Sequence, residues 1–102
     1  MLRIAIFAVA CLVMPAAMAQ DALQRASQNG CLDCHAVDKK LVGPAWKDVA
    51  KKYVGDASAE ARLVEKVKKG GSGIWGAVPM PPNVTVSDED VRVLVRYVLS
   101  LK

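Results

Sequence analysis

The sequence predicts a small all-α domain made of about four short helices. Apolar residues recur at helical spacing in several segments, and glycines or prolines separate these segments. No stretch alternates polar and apolar residues over a useful strand length. A chain of this size has too little interior for two cores, so a single domain is expected.

Residues 1–19 have the order of features typical of a signal peptide. Arg3 supplies a positive start, an apolar run follows over residues 4–13, and small residues lead to an Ala-X-Ala cleavage sequence. The apolar run is too short to span a bilayer. Cleavage would leave residues 20–102 as one domain exported to the periplasm. The alternative is lipidation at Cys11, which would tether the product to a membrane.

The first two helices are predicted around the start of the mature chain. Residues 21–29 favour a short helix that Gly30 ends. Residues 45–53 favour a second helix, which Gly55 ends. The residues expected to face inward are Leu23 and Ala26 in the first helix and Trp46, Val49 and Ala50 in the second.

The last two helices flank a segment rich in glycine and proline. The third is expected from Ser58 or Ala59 to Lys69, and residues 70–86 are expected to form a loop. Ser87 then provides an N-cap, and three acidic residues occupy the first turn of the fourth helix. Its apolar face should pack on the first helix; that face contains Val91, Leu94, Val95 and Val98.

The motif Cys31-Leu32-Asp33-Cys34-His35 is a CxxCH, which marks covalent attachment of haem c. Two thiols one helical turn apart can each bond one vinyl group of the porphyrin, and the adjacent imidazole can then reach the iron. A closed zinc site would lack a fourth ligand, and a thioredoxin-like motif would need βαβ surroundings. A disulfide between Cys31 and Cys34 would leave His35 without a role.

Met80 is the candidate for the second axial ligand. His35 is the only histidine, and the other three methionines lie in the predicted signal peptide. Prolines on both sides of Met80 favour a stiff, extended segment that can hold a thioether in place. Ligation by His35 and Met80 would fill both axial positions, raise the reduction potential and leave no site for a substrate. An electron carrier is therefore expected rather than an enzyme.

Charge and composition leave two rival functions open. The full chain has a formal net charge of +4, and loss of Arg3 with the signal peptide leaves +3. Nucleic acid is not expected as a partner, because the basic excess is small and aromatic residues are few. The rivals are a haem enzyme or gas sensor with Met80 displaced, and a thiol or metal protein without haem.

The chain resembles the small bacterial class I monohaem cytochromes c of the cytochrome c551 and c552 group. The matching segments cover most of the chain beyond residue 20, and they are residues 30–35, 41–45, 73–76, 79–83 and 97–100. The resemblance implies the class I cytochrome c fold, with short helices wrapped around one haem. It also implies that this chain is a monomer.

The resemblance further implies roles for three residues around the haem. The Pro44 carbonyl would accept the second N–H of His35, Trp75 would donate to a haem propionate, and Asn83 would hydrogen-bond near the Met80 sulfur. Two positions depart from the group: Lys66 stands where an arginine often reaches a propionate, and Ala77 replaces a common proline.

The expected partners are redox proteins that bind transiently through small interfaces. Lysines around an exposed haem edge would steer acidic partners to it; the candidates are Lys39, Lys40, Lys47, Lys51, Lys52, Lys66, Lys68 and Lys69. The resemblance implies respiratory or denitrification partners, with a membrane cytochrome complex on one side and a nitrite reductase or terminal oxidase on the other. No stable membrane insertion is expected.

Overall fold

The computed structural model describes residues 15–102. Within this range the chain forms four α-helices, one 3₁₀ turn and one two-stranded hairpin. The helices are α1 (Ala16–Gln28), α2 (Trp46–Lys52), α3 (Ala59–Lys69) and α4 (Asp88–Ser100). The 3₁₀ turn is Cys31–Asp33, and the strands are β1 (Gly71–Gly73) and β2 (Gly76–Met80). The prediction of a mostly helical domain is confirmed.

The first helix begins earlier than predicted. It starts at Ala16 rather than Asp21, because residues 16–20 are mostly alanine and methionine, which favour helix. The predicted signal peptide therefore overlaps the helix at its end, while residues 1–14 lie outside the described residues. The lipidation alternative at Cys11 lies there too. Cleavage after residue 19 stays a prediction.

The fourth helix matches its prediction in cap and in packing. The Ser87 hydroxyl accepts a hydrogen bond from the backbone N–H of Asp90 at 3.1 Å, which satisfies one of the free N–H groups of the first turn. The helix packs on α1, where Ala22 and Ala26 are fully buried and allow the two helices to approach closely. Their partners in this cluster include Leu94, Tyr97 and Val98 of α4.

A second apolar cluster joins α3 to the other face of α4. Val91 and Val95 are buried there with Val86, against the half-buried apolar side of α3. The helix α4 packs on α1, α2 and α3, so it is the central helix of the domain.

Part of the predicted loop is a hairpin. Residues 71–80 form two antiparallel strands in which Gly71 pairs with Met80 and Gly73 with Gly76. Strand propensity did not reveal it, because glycine and proline are depleted in strands. The three strand-end glycines have φ values of 113–129°, which side chains rarely adopt. The hairpin sets the position of the segment that ends in Met80.

Candidate functional site

The CxxCH motif begins where α1 ends. Gly30 takes a left-handed conformation with φ of 75°, which stops the helix and turns the chain into the 3₁₀ turn. The backbone N–H groups of Cys34 and His35 both donate to the carbonyl of Cys31, at 3.2 and 2.9 Å. This tight turn places both cysteines and His35 along one cavity.

Cys31 and Cys34 are half-buried, and no disulfide joins them. Burial raises the pKa of the Cys31 thiol above its ordinary value. Thioether formation adds a thiol across a vinyl group, so two cysteines without a disulfide fit covalent attachment of haem.

The ring of His35 is anchored at one nitrogen. Its Nδ1 lies 2.9 Å from the carbonyl oxygen of Pro44. A carbonyl can only accept, so Nδ1 carries the proton in this contact, and Nε2 of the neutral ring keeps its lone pair for a metal. This is the contact that the resemblance implied for Pro44. The ligand role of His35 itself stays a prediction.

Gly43 and Trp46 pack against the same imidazole. A Cβ added to Gly43 would lie 2.5, 2.9 and 3.1 Å from Cε1, Nδ1 and Nε2 of His35. Similar distances to three ring atoms place Gly43 over the face of the ring, where no side chain fits. The indole of Trp46 stacks on His35 with centroids 5.7 Å apart and planes 25° apart. Trp46 was expected in the core and Gly43 had no predicted contact, so neither contact with His35 was predicted.

Met80 lies at the end of β2 and lines the cavity with the CxxCH residues. Behind it stands Gly70, which ends α3 with φ of 70° and donates its N–H to the carbonyl of Lys66 at 2.7 Å. A Cβ on Gly70 would overlap the carbonyl oxygen of Met80 and lie 2.8 Å from the nitrogen of Pro82. The end of α3 therefore packs directly against the backbone of the Met80 segment.

Asn83 ties this segment to α3. Its backbone N–H and its Nδ2 each donate to the carbonyl of Val67 at 3.1 Å, and Nδ2 also lies 3.2 Å from the carbonyl of Pro81. Val67 is in the last turn of α3, where carbonyls lack helical partners. Among the hydrogen bonds of residues 15–102, none joins Asn83 to Met80. Its predicted influence on the Met80 sulfur stays a prediction.

Trp75 lies in the turn of the hairpin, 40% exposed, and lines the cavity. The ammonium of Lys52 stands 5.7 Å from the centroid of its ring, a cation–π contact. Lys66 lines the same cavity with its Nζ close to Gly71. An indole N–H and two ammonium groups on this side suit an anionic group such as a propionate. The hydrogen bond predicted from Trp75 to a propionate stays a prediction.

The cavity that these residues enclose has a volume of about 260 Å³. Apolar side chains form its inner wall, and they include Val49, Leu63, Val67, Leu94, Val95 and Val98. Two thiols, an imidazole with a free nitrogen and a thioether therefore converge on an apolar slot, which fits a flat iron porphyrin. Within residues 15–102, no group of three His, Cys, Asp or Glu residues is arranged to hold a metal ion.

Comparison with known proteins identifies the family of this chain. The chain matches the family described as Cytochrome c over residues 21–102. Cytochrome c-551 of Pseudomonas aeruginosa is 46% identical over 99 residues, which cover 97% of this chain and 94% of that protein. Cytochrome c-552 of Hydrogenobacter thermophilus is 52% identical over 79 residues, which cover 78% of this chain and 80% of that protein.

The fold is similar to solved structures as well. The crystal structure of wild-type Nitrosomonas europaea cytochrome c552 superposes with a TM-score of 0.76 at 49% identity. The match covers 78% of this chain and 99% of that chain. Cytochromes c of this kind are electron carriers, not enzymes, and they hold a covalently attached haem c. The chain belongs to the cytochrome c family, in the c551 and c552 group, and is an electron carrier with haem c as its cofactor.

Proposed function

We propose that this chain carries single electrons with a low-spin haem whose iron is held between His35 and Met80. The anchored imidazole carries the proposal: Nδ1 donates to Pro44, so Nε2 offers its lone pair to the cavity that Met80 also lines. Ligation on both sides leaves iron no open position, so electron exchange is the chemistry available to the haem.

The two ligands have separate supports in the chain. His35 is held by Gly43, Pro44 and Trp46, which all lie in or directly before α2. Met80 is held by the hairpin and by Gly70 at the end of α3. Two rigid supports on different helices keep ligand positions similar in both oxidation states. Small rearrangement on electron exchange is what a fast carrier needs.

The absorption spectrum of purified holoprotein tests this ligation. Low-spin haem bands and a weak sulfur-to-iron charge-transfer band are expected for the wild type. Met80→Ala should give a high-spin spectrum without that band. Val78→Ala is the matched control, because Val78 lies in the same strand and lines the same cavity without a ligating atom. A high-spin wild type would favour an enzyme or gas sensor instead.

We also propose that Cys31 and Cys34 form the two thioether links to haem. Both thiols line the cavity and lie one turn apart, directly before His35. The mass of the denatured holoprotein should exceed that of the polypeptide by one haem. Cys31→Ala should retain haem through one link, whereas the double variant with Cys34→Ala should release it on denaturation. Release from the wild type would contradict covalent attachment.

The lysines nearest the cavity support a proposal about partners. Among the described residues, ion pairs engage Lys47, Lys68 and Lys69 with carboxylates. Lys40, Lys52 and Lys66 have no carboxylate within 4.0 Å, and Lys40 and Lys66 line the cavity. Because Lys52 and Lys66 flank the position that suits a propionate, we propose that Lys40 in particular steers acidic redox proteins to the haem edge in brief encounters.

Electron-transfer rates at increasing salt test this steering. Lys40→Gln should slow reduction by an acidic partner at low salt and flatten the salt dependence, because the variant has less attraction for salt to screen. Lys69→Gln is the control, because Glu65 already pairs with Lys69 at 2.5 Å. Equal effects of the two substitutions would show that only net charge matters.

A membrane cytochrome complex as donor and a nitrite reductase or terminal oxidase as acceptor are the partners we propose.

The proposed location is the periplasm, reached through the signal peptide over residues 1–19. Within residues 15–102, no helix combines the length and apolarity needed to cross a bilayer. N-terminal sequencing of protein from a periplasmic extract should begin at Gln20. A blocked, lipid-bearing Cys11 in the membrane fraction would support the tethered alternative. Gel filtration should give the size of a monomer.

A further inference from the structure

Trp46 lies where the start of α2 meets the ring of His35, the helix α4 and the segment after the CxxCH motif. It is the first residue of α2 and is only 6% exposed. Its indole stacks on the ring of His35, with the two planes 25° apart. This buried aromatic ring stacks on the proposed iron ligand and lines the same cavity, while it lies outside the CxxCH motif.

The indole is held in place from two other directions. The ring of Tyr97 in α4 meets it edge-on, with centroids 6.0 Å apart and planes 87° apart. The backbone N–H of Trp46 donates to the carbonyl of Ala36 at 3.0 Å, so the segment after the CxxCH motif receives the first N–H of α2. Tyr97 is 5% exposed, so this support lies within the core. Trp46 therefore cannot move without moving the core or the haem-binding segment.

The other contacts of His35 do not by themselves fix the plane of its ring. The hydrogen bond from Nδ1 to Pro44 fixes one point on the edge of the ring, and Gly43 covers part of a face. The ring can still rotate about the Nδ1–H direction without breaking this hydrogen bond. A large, immobile aromatic surface that lies nearly parallel to the imidazole restricts that tilt.

We propose that Trp46 is a positioning residue that sets the plane of the His35 imidazole, and through it the magnetic and redox properties of the haem iron. The inference rests on the proposed ligation by His35. The plane of an axial imidazole decides which iron orbital holds the unpaired ferric electron. Groups outside the ligand shell act on a metal by orienting its ligands in this way.

Proton NMR of the ferric holoprotein tests this role, together with a redox titration. The shifts of the haem methyl resonances report the direction of the axial ligand planes. Trp46→Leu removes the aromatic surface and should change the order or spread of these shifts and move the potential. Trp46→Phe keeps a smaller ring and should give a change between those of wild type and Trp46→Leu.

Tyr97→Phe is the matched control. It retains the ring that supports Trp46 and lies outside the His35 contact, so its methyl shifts and potential should stay those of the wild type. A purely structural role for Trp46 would lower the melting temperature of Trp46→Leu without altering either property, and that result overturns the proposal. If Trp46→Leu fails to bind haem, Trp46→Phe tests the proposal instead. Methyl shifts and a potential equal to those of Tyr97→Phe would then overturn it.

The wild-type spectrum separates this inference from the proposed function. A wild type without low-spin haem would overturn both, because His35 and Met80 would not both be ligands. A low-spin wild type with methyl shifts insensitive to Trp46 would overturn the positioning role alone.

Discussion

Replacing Gly43 by alanine places a methyl group against the face of the His35 ring. The new Cβ would lie 2.5 Å from Cε1, whereas carbon atoms in good contact are about 3.5 Å apart. The ring or the backbone must therefore move by about 1 Å. A movement of that size stretches the 2.9 Å contact between Nδ1 and the Pro44 carbonyl beyond hydrogen-bond length.

The cost of Gly43→Ala can be worked from these contacts. Overpacking a well-filled site costs about 1–3 kcal/mol, and the weakened hydrogen bond costs about 1 kcal/mol more. Alanine also lowers the entropy of the unfolded chain, which returns about 0.4–1 kcal/mol. We expect a net loss of about 1–3 kcal/mol in the free energy of unfolding. The iron spectrum should change as well, because the ring that moves is a proposed ligand.

Denaturant unfolding of the ferric holoprotein measures the loss, and its absorption spectrum follows the iron. Gly55→Ala is the control, since its added Cβ meets nothing within 4 Å. Its φ of +76° makes alanine cost about 1 kcal/mol of backbone strain without touching the haem site. If Gly43→Ala matched Gly55→Ala in its spectrum and lost less than about 0.5 kcal/mol, the close packing on His35 would be refuted.

Three further changes test other parts of the structure. In Gly70→Ala the new methyl group should overlap the carbonyl of Met80, so the charge-transfer band should disappear at lower temperature than in the wild type. An unchanged thermal profile would contradict the close packing of Gly70 on the Met80 segment. Ser87→Ala removes the α4 cap and should lower the free energy of unfolding by about 0.5–2 kcal/mol in urea titration; Ser87→Asp should restore it. Hydrogen bonds from Ser58 lower the pKa of Asp56 below its ordinary 3.8, so their stabilisation is present above that pH and lost as the pH falls through the folded pKa. The difference in unfolding free energy between pH 7 and acid should shrink in Asp56→Asn, and an equal difference would argue against this link.

Local signals predicted the helices well where cap, charge and apolar spacing agreed. The fourth helix begins after its Ser87 cap and packs on the first helix as expected. The start of α1 was wrong, because alanine-rich residues serve both a cleavage sequence and a helix. The hairpin over residues 71–80 was missed because backbone pairing and glycine conformations stabilise it, without an apolar pattern along the strands.

The candidate site was predicted unevenly for a similar reason. Cys31, Cys34 and His35 form a contiguous motif, and Met80 was found by elimination and by its prolines; all four line one cavity. No pattern around Gly43 indicates that the ring of His35 packs against it. Asn83 was expected near the Met80 sulfur, but its described hydrogen bonds reach the end of α3 and Pro81.

The amino-acid order alone determined the attachment motif, the candidate ligands and the helical periodicity, because each depends on residues close together in the chain. Only the tertiary structure decided which face of His35 is covered, what seats Met80 and how α2 meets the haem-binding segment. These contacts join residues about ten positions apart, and longer-range packing such as that of Trp46 on Tyr97 holds them in place. Packing between such residues depends on the shape of the whole core, which no local pattern specifies.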